Sequence, residues 1–252
     1  MSELDLLLAP EWWPIVFDLI GKVEDLVSTV CRNGDWGNYP PRRSSDLGFH
    51  GDQYLLNLID VPLETSDTFI ETGTNRGQTL RYVAERYGHL EAASCEPDPD
   101  SYRRAVAALE DYEDVTVSNE LSQEFLPDVI SAYDGDFPTI FLDAHGPGFE
   151  WPLRFEIDLI TTELSTAAIL IDDFRVPGRP DFEYDAYDGQ ECSMDYIRDD
   201  LNRERDYRLL YPDYRVKTST HHPFRGYGLL LMNCDEDLIP GPILENFVVR
   251  RL

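Results

Sequence analysis

From Asp67 onward the chain repeats one unit: a short apolar run, a polar turn, then a stretch with helical spacing. Thr68–Glu71 reads as a strand and Gly77–Tyr87 as a helix. Ala92–Glu96 is the next strand. The helix from Asp98 to Leu109 starts on an aspartate, a residue whose short side chain accepts from free N–H groups at a helix start. Val115–Ser118, Thr139–Asp143 and Ala168–Asp172 continue the strands, with helices at Ser122–Tyr133 and Pro152–Glu163 between them. Short apolar strands alternating with helices predict a parallel sheet covered on both faces. A helix over Met194–Glu204 follows. Tyr207–Tyr211 and Gly228–Met232, with little helix between them, then suit an antiparallel closing hairpin. The pattern predicts an α/β, Rossmann-like sheet of seven strands, mostly parallel, with helices on both faces, in one domain over residues 67–252.

Upstream, Trp12, Trp13, Ile15, Val16, Leu19, Ile20, Val23, Leu26 and Val27 recur at helical spacing. Residues 33–51 are rich in Gly, Pro, Asn, Arg and Ser and read as a loop, either a linker or a lid over a ligand. Residues 1–66 are therefore an N-terminal helical extension with a lid-type loop. Its Trp12–Trp13 face is expected to pack on the domain or on a second subunit, which leaves a homodimer open.

Charge narrows the partners. The chain holds 49 Asp and Glu against 21 Lys and Arg, a formal net charge of −28, and its only lysines are Lys22 and Lys217. The acids are spread evenly, so they form a solvated surface rather than a tail. This composition resembles that of proteins from salt-in halophiles, where concentrated salt screens the self-repulsion. No basic stripe is present to neutralise phosphates, so nucleic acid is not an expected partner. The apolar runs are too short for a membrane span, and Met1–Leu8 is acidic where a secretory leader is basic. A soluble, cytoplasmic protein is expected. Cys31, Cys95, Cys192 and Cys234 form no C-x-x-C pair and are expected to be reduced and structural.

In open α/β sheets ligands sit beyond the carboxyl ends of the strands. The first strand ends on Glu71, and Gly73 and Gly77 follow before a helix start. Glycine lets the backbone approach a ligand, and the helix start presents free N–H groups. The carboxylate can receive the ammonium of a zwitterion. The second strand ends in Glu96-Pro97-Asp98, an acid placed for the hydroxyls of a ribose. The third ends near Asn119 and Ser122, polar groups for a base; the fourth in Asp143-Ala144-His145, and the fifth in Asp172-Asp173. Acids are common in this chain, so some fall at strand ends by chance; Asp199 and Asp200 read only as a solvated helix face. Asp172 differs because it closes an apolar run, where an unpaired carboxylate is costly.

Asp143, Asp172 and Asp173 form an oxygen-ligand set suited to a hard divalent cation such as Mg²⁺. Such an ion would lower the pKa of an acceptor hydroxyl. His145 on the same rim is a candidate base, with Asp143 or water as the alternatives and His221 and His222 as weaker ones. Phe174, Tyr184 and Tyr187 are candidates to stack on an acceptor ring. Arg76, Arg175 and Arg179 are candidates to neutralise an anionic one.

Glu71-Thr-Gly-Thr-Asn-Arg-Gly77, Glu96-Pro97-Asp98, Leu142-Asp-Ala-His-Gly146 with Glu156, and Ile171-Asp-Asp-Phe174 resemble the class I methyltransferases that use S-adenosylmethionine (SAM). Within that class the set is similar to small methyltransferases of glycan gene clusters and to metal-dependent sugar O-methyltransferases. The resemblance spans residues 68–232. It implies that Glu71, Gly73 and Gly77 hold the methionine moiety, with Thr74, Asn75 and Gln78 in the same turn. Glu96 and Pro97 would then hold the ribose, and Asn119 and Ser122 would lie near the adenine. It further implies that Asp143, Asp172 and Asp173 bind Mg²⁺, with His145 or Asp143 as the base. Ala144 stands where the sugar enzymes carry a Gly-Ser-type turn, a departure that bears on the base. The expected activity is O-methyl transfer from SAM to a hydroxyl of a sugar or uronic acid, the acceptor being a small molecule or a glycan. A catechol-like acceptor, or a non-catalytic assembly protein on the same fold, is the alternative. A short-chain dehydrogenase needs Tyr-x-x-x-Lys, but Asp18 and Asp213 precede the two lysines at that spacing. A P-loop is missing as well.

Overall fold

A computed structural model describes residues 48–144, 151–187, 189–215 and 224–252, all within the compact unit that runs from Pro41 to Leu252. Its parallel half consists of β1 (Thr68–Thr72), β2 (Glu91–Cys95), β3 (Val115–Ser118), β4 (Pro138–Leu142) and β5 (Ala167–Ile171). β1 pairs in parallel with β2 and β4, β2 with β3, and β4 with β5. β6 (Tyr207–Pro212) and β7 (Gly228–Met232) form the expected antiparallel pair, with β7 inserted between β5 and β6. The main helices are α1 (Gln53–Thr65), α2 (Gln78–Arg86), α3 (Pro99–Ala108), α4 (Ser122–Ala132), α5 (Leu153–Glu163) and the short α6 (Met194–Ile197). Every residue of β4, β5 and β7 is buried, which is why these strands read as largely apolar runs.

The sheet has eight strands, in the order β8-β6-β7-β5-β4-β1-β2-β3. The unanticipated one is β8 (Phe247–Arg251), antiparallel to β6 at the edge. Only Phe247 is buried along it, so the strand shows little period in the sequence. Arg250 and Arg251 are the kind of charge that keeps an edge from pairing further.

The expected helix over Met194–Glu204 ends much earlier. Arg154 on α5 grips Asp200 through two bonds of 2.7 and 2.8 Å. The Asn202 N–H donates to the Thr161 hydroxyl, also on α5, at 3.1 Å. These ties draw the chain off a helical path into an extended Leu201. Asp200 is thus an ion-pair partner rather than a solvated face.

Helix α1 lies before the boundary drawn at Asp67, yet Leu55, Leu58, Ile59 and Leu63 are buried in the same core as β1. Asp52 caps it, accepting from the N–H groups of Tyr54 and Leu55 and from the Tyr214 hydroxyl beyond β6. Tyr54 stacks on Tyr214 with centroids 4.0 Å apart. Cys95, Cys192 and Cys234 are free thiols, as expected; Cys31 and the Trp12–Trp13 segment lie outside the described residues. Among the described residues, no helix is long and apolar enough to cross a membrane.

Candidate functional site

At the carboxyl end of β1, the register places Glu71 beside Ser94 on β2 and Phe141 on β4. Paired residues share a face of the sheet, so Ser94 reaches Glu71 directly. Its hydroxyl donates to Glu71 Oε2 at 2.8 Å and lies 2.5 Å from the Thr74 hydroxyl. Glu71 is buried, and that burial pushes its carboxyl up to about 8. The Ser94 hydrogen bond opposes this, while the neighbouring charges of Asp143 and Glu96 add to it.

The turn after β1 requires its first glycine. Gly73 sits at φ +88°, and a Cβ there would lie 2.4 Å from the carbonyl oxygen of Asp143. The N–H groups of Gly73 and Thr74 both donate to the Cys95 carbonyl at 3.0 Å. Asn75 (φ +51°) turns its N–H onto Glu96 Oε2 at 2.7 Å, and the Asp98 N–H takes Oε1 at 2.9 Å. Glu96 therefore braces the two loops, and each of its oxygens keeps a lone pair for a ribose hydroxyl. Asn119 points its amide at the carbonyls of Glu96 and Pro97, at 2.7 and 3.2 Å, so it supports the same loop.

Glu71, Gly73, Thr74, Asn75, Gln78 and Asp143 line one cavity of about 250 Å³. Gly77, with φ +78°, opens α2 behind it. Glu96, Pro97, Asn119 and Ser122 do not line that cavity; Ser122 is buried in the first turn of α4. His145 lies outside the described residues, as do His221 and His222. Phe174 is fully buried and stacks on Tyr211, so it offers no face to an acceptor. Arg179 is engaged by Asp181 and Asp213.

The far wall of the cavity is formed by Phe49 and His50. Phe49 is buried against Phe141, Tyr82 and Phe69, with centroids 5.2, 5.7 and 6.4 Å away. Both residues adopt left-handed φ, +53° and +56°, which turns the imidazole out of the core. His50 Nε2 sits 2.7 Å from Asp172 Oδ2. The Asp172 charge raises its pKa to about 9, against the cost of burial and with help from Asp143 and Asp173. The sequence held one signal for this residue: a Gly-Phe-His-Gly run at the end of the Gly- and Pro-rich stretch over residues 33–51.

This architecture has known counterparts. The structure of the O-methyltransferase TomG from Streptomyces achromogenes, in complex with SAM, matches with a TM-score of 0.51 at 16% identity over 75% of this chain and 83% of that one. A Klebsiella pneumoniae protein put forward as an O-methyltransferase also gives 0.51, at 17% identity over 76% and 83%. The chain has the class I SAM-dependent methyltransferase fold. No protein-family model matches the sequence, and no curated protein matches it.

On this methyltransferase fold, the three carboxylates expected to share Mg²⁺ do not fit a cation. Among the described residues, no three His, Cys, Asp or Glu side chains are grouped to hold a metal. Asp172 is paired with His50. Asp173 has φ +48° and faces Arg225 Nε at 3.2 Å, while the other arm of that guanidinium holds Asp185 at 2.9 Å. Two cationic side chains thus occupy the charge complement that a metal would need.

Both raised pKa values make the fold lose stability as pH rises. A group whose folded pKa exceeds its unfolded one binds more protons when folded. The Glu71 contribution falls away between pH 4.5 and about 8, and that of His50 between 6.5 and about 9. Denaturant midpoints measured across this range should therefore decline toward alkaline pH. His50→Gln should flatten the upper part of the decline; an unchanged slope would remove the His50–Asp172 pair from the account.

Proposed function

We propose that the protein transfers the SAM methyl group to a hydroxyl of a sugar or uronic acid. The observation that carries this reading is the cavity where Glu71, the Gly73–Asn75 turn, Gln78 and Asp143 meet. Glu71 would take the SAM ammonium, and Glu96 the ribose from the adjoining loop. The Asp143 carboxylate and the His50 imidazole suit a polyhydroxylated acceptor, whose hydroxyls donate to them. A catechol-like acceptor offers fewer hydroxyls for these groups, which favours the sugar.

In the transfer the acceptor oxygen bonds in line to the methyl carbon as the methyl–sulfur bond breaks and the thioether S-adenosylhomocysteine leaves, and the acceptor proton must pass to a base. His145 and Asp143 were the bases expected from the sequence, and His50 joins them with Asp172 orienting its ring. With Nε2–H shared with Asp172, Nδ1 is the nitrogen left to accept the proton. Bound SAM brings a positive sulfonium into the cavity, which lowers the pKa of His50 and favours this neutral form. In this reading the rate rises with pH as His50 deprotonates, and His50→Gln lowers the rate and removes that limb of the profile. No step calls on a metal, so activity is expected to persist in chelator.

The test is calorimetric titration of the protein with SAM in concentrated KCl, chosen for its acidic surface. Saturable binding supports the reading. A folded protein that binds no SAM would point instead to an assembly role for the fold. SAM binding should also release protons near neutral pH, since its ammonium favours the ionised form of a Glu71 that is otherwise protonated below about 8. Repeating the titration in two buffers of different ionisation heat measures this; identical heats would mean that Glu71 does not meet the ammonium.

A further inference from the structure

A second cavity, of about 450 Å³, opens between the residues after β5, helix α6 and the β6–β8 edge. Its wall is basic in a chain of net charge −28: Arg175, Arg198, Arg250 and Arg251 line it, against Asp195. With 49 carboxylates for 21 cations, arginines in this protein have abundant partners. Arg250 nevertheless makes no ion pair among the described residues. Arg198 has only Asp195, 3.3 Å away and 91% exposed, a solvated surface pair of little worth.

The register of β8 on β6 sets Arg250 opposite Leu209 and Val248 opposite Tyr211, so all four project from one face. Tyr211 supplies an independent observation. It is 4% exposed, its ring stacks on Phe174 at 6.1 Å, and it lines the cavity. Its hydroxyl makes no hydrogen bond to another described residue, which leaves a donor on the cavity wall for a ligand. Burial pushes this phenol up to about 12, and Arg198 and Arg250 are the cations near enough to oppose that shift.

We propose that Arg198, Arg250 and the Tyr211 hydroxyl bind the oxyanion group of a small ligand, a phosphate or a carboxylate. Guanidinium forks match such groups in shape and charge, and the phenol O–H donates a further bond. The net charge of the protein repels anions at long range, so short-range contacts must hold this one. None of the three residues lines the SAM cavity, and the proposal stands apart from the methyl-transfer reading.

The test is a phosphorus NMR titration with inorganic phosphate at fixed ionic strength, repeated with acetate as competitor. Arg250→Gln on the exposed edge and Tyr211→Phe, which keeps the ring stack, both preserve the fold. Saturable phosphate binding is expected, weakened about tenfold by Arg250→Gln and several-fold by Tyr211→Phe, with SAM binding unchanged. Displacement by acetate at similar concentration would assign a carboxylate ligand, and resistance to it a phosphate. Absence of saturable binding of either anion overturns the proposal, as does binding that both variants leave intact.

Discussion

Replacing Glu71 by alanine is expected to cost about 2–5 kcal/mol of SAM binding, the usual loss when one partner of a buried, hydrogen-bonded charge pair is truncated. That is at least about 30-fold in Kd. The side chain is 2% exposed and receives the Ser94 hydroxyl, so no water stands ready to replace it at the ammonium. Glu71→Gln separates charge from packing. Its amide oxygen can still accept from Ser94, the volume is kept, and the carboxylate is gone. The variant should lose SAM affinity like the alanine protein. It should also be more stable than the parent above pH 8, where the buried carboxylate is ionised at a cost. Calorimetry and denaturant melts read both effects, and full SAM affinity in Glu71→Gln would refute the ammonium assignment.

Gly73→Ala should damage the fold itself. Left-handed φ alone costs a non-glycine residue about 1–3 kcal/mol. At Gly73 the new methyl also lands 2.4 Å from the Asp143 carbonyl oxygen, a backbone atom that cannot swing aside. A total loss of about 3 kcal/mol or more is expected, together with loss of SAM binding, because β1 and β4 must part to make room. Gly178→Ala is the control. It has φ +75° and nothing within 4 Å of the added carbon, so only the cost of the left-handed φ should remain, and the loss should be smaller than that of Gly73→Ala. Equal destabilisation of the two variants would mean that the Asp143 contact is relieved by a shift too small to matter.

The central strands were legible because both their faces are covered, and the edge strand β3 because its Val115-Thr-Val117 run is rich in β-branched residues. β4, β5 and β7 are buried at every position and almost wholly apolar, and such runs have few readings other than central strands. β8 escaped because only Phe247 of its Phe-Val-Val-Arg-Arg run is buried and the run ends on two arginines. The shortened α6 escaped for another reason. Met194–Glu204 has ordinary helix composition, and its end is set by Arg154 and Thr161 on a helix distant in sequence. In the cavity, the Gly73 position was visible because the backbone there turns to φ +88°, which favours glycine. The partners of Asp172 and Asp173 were not, since His50 and Arg225 lie 122 and 52 residues away from them.

The order of strands and helices, the acidic residues at the strand ends and the glycine turn after β1 were determined by the sequence alone. Each depends on neighbours along the chain: burial period, turn chemistry and a positive φ that favours glycine. The tertiary structure alone decided which cations face those acids. A row of carboxylates looks the same in sequence whether a metal or a side chain will neutralise it, because a buried charge only requires some counter-charge nearby. Folding brought His50 and Arg225 to that position, and left Arg250 and Tyr211 facing a separate cavity.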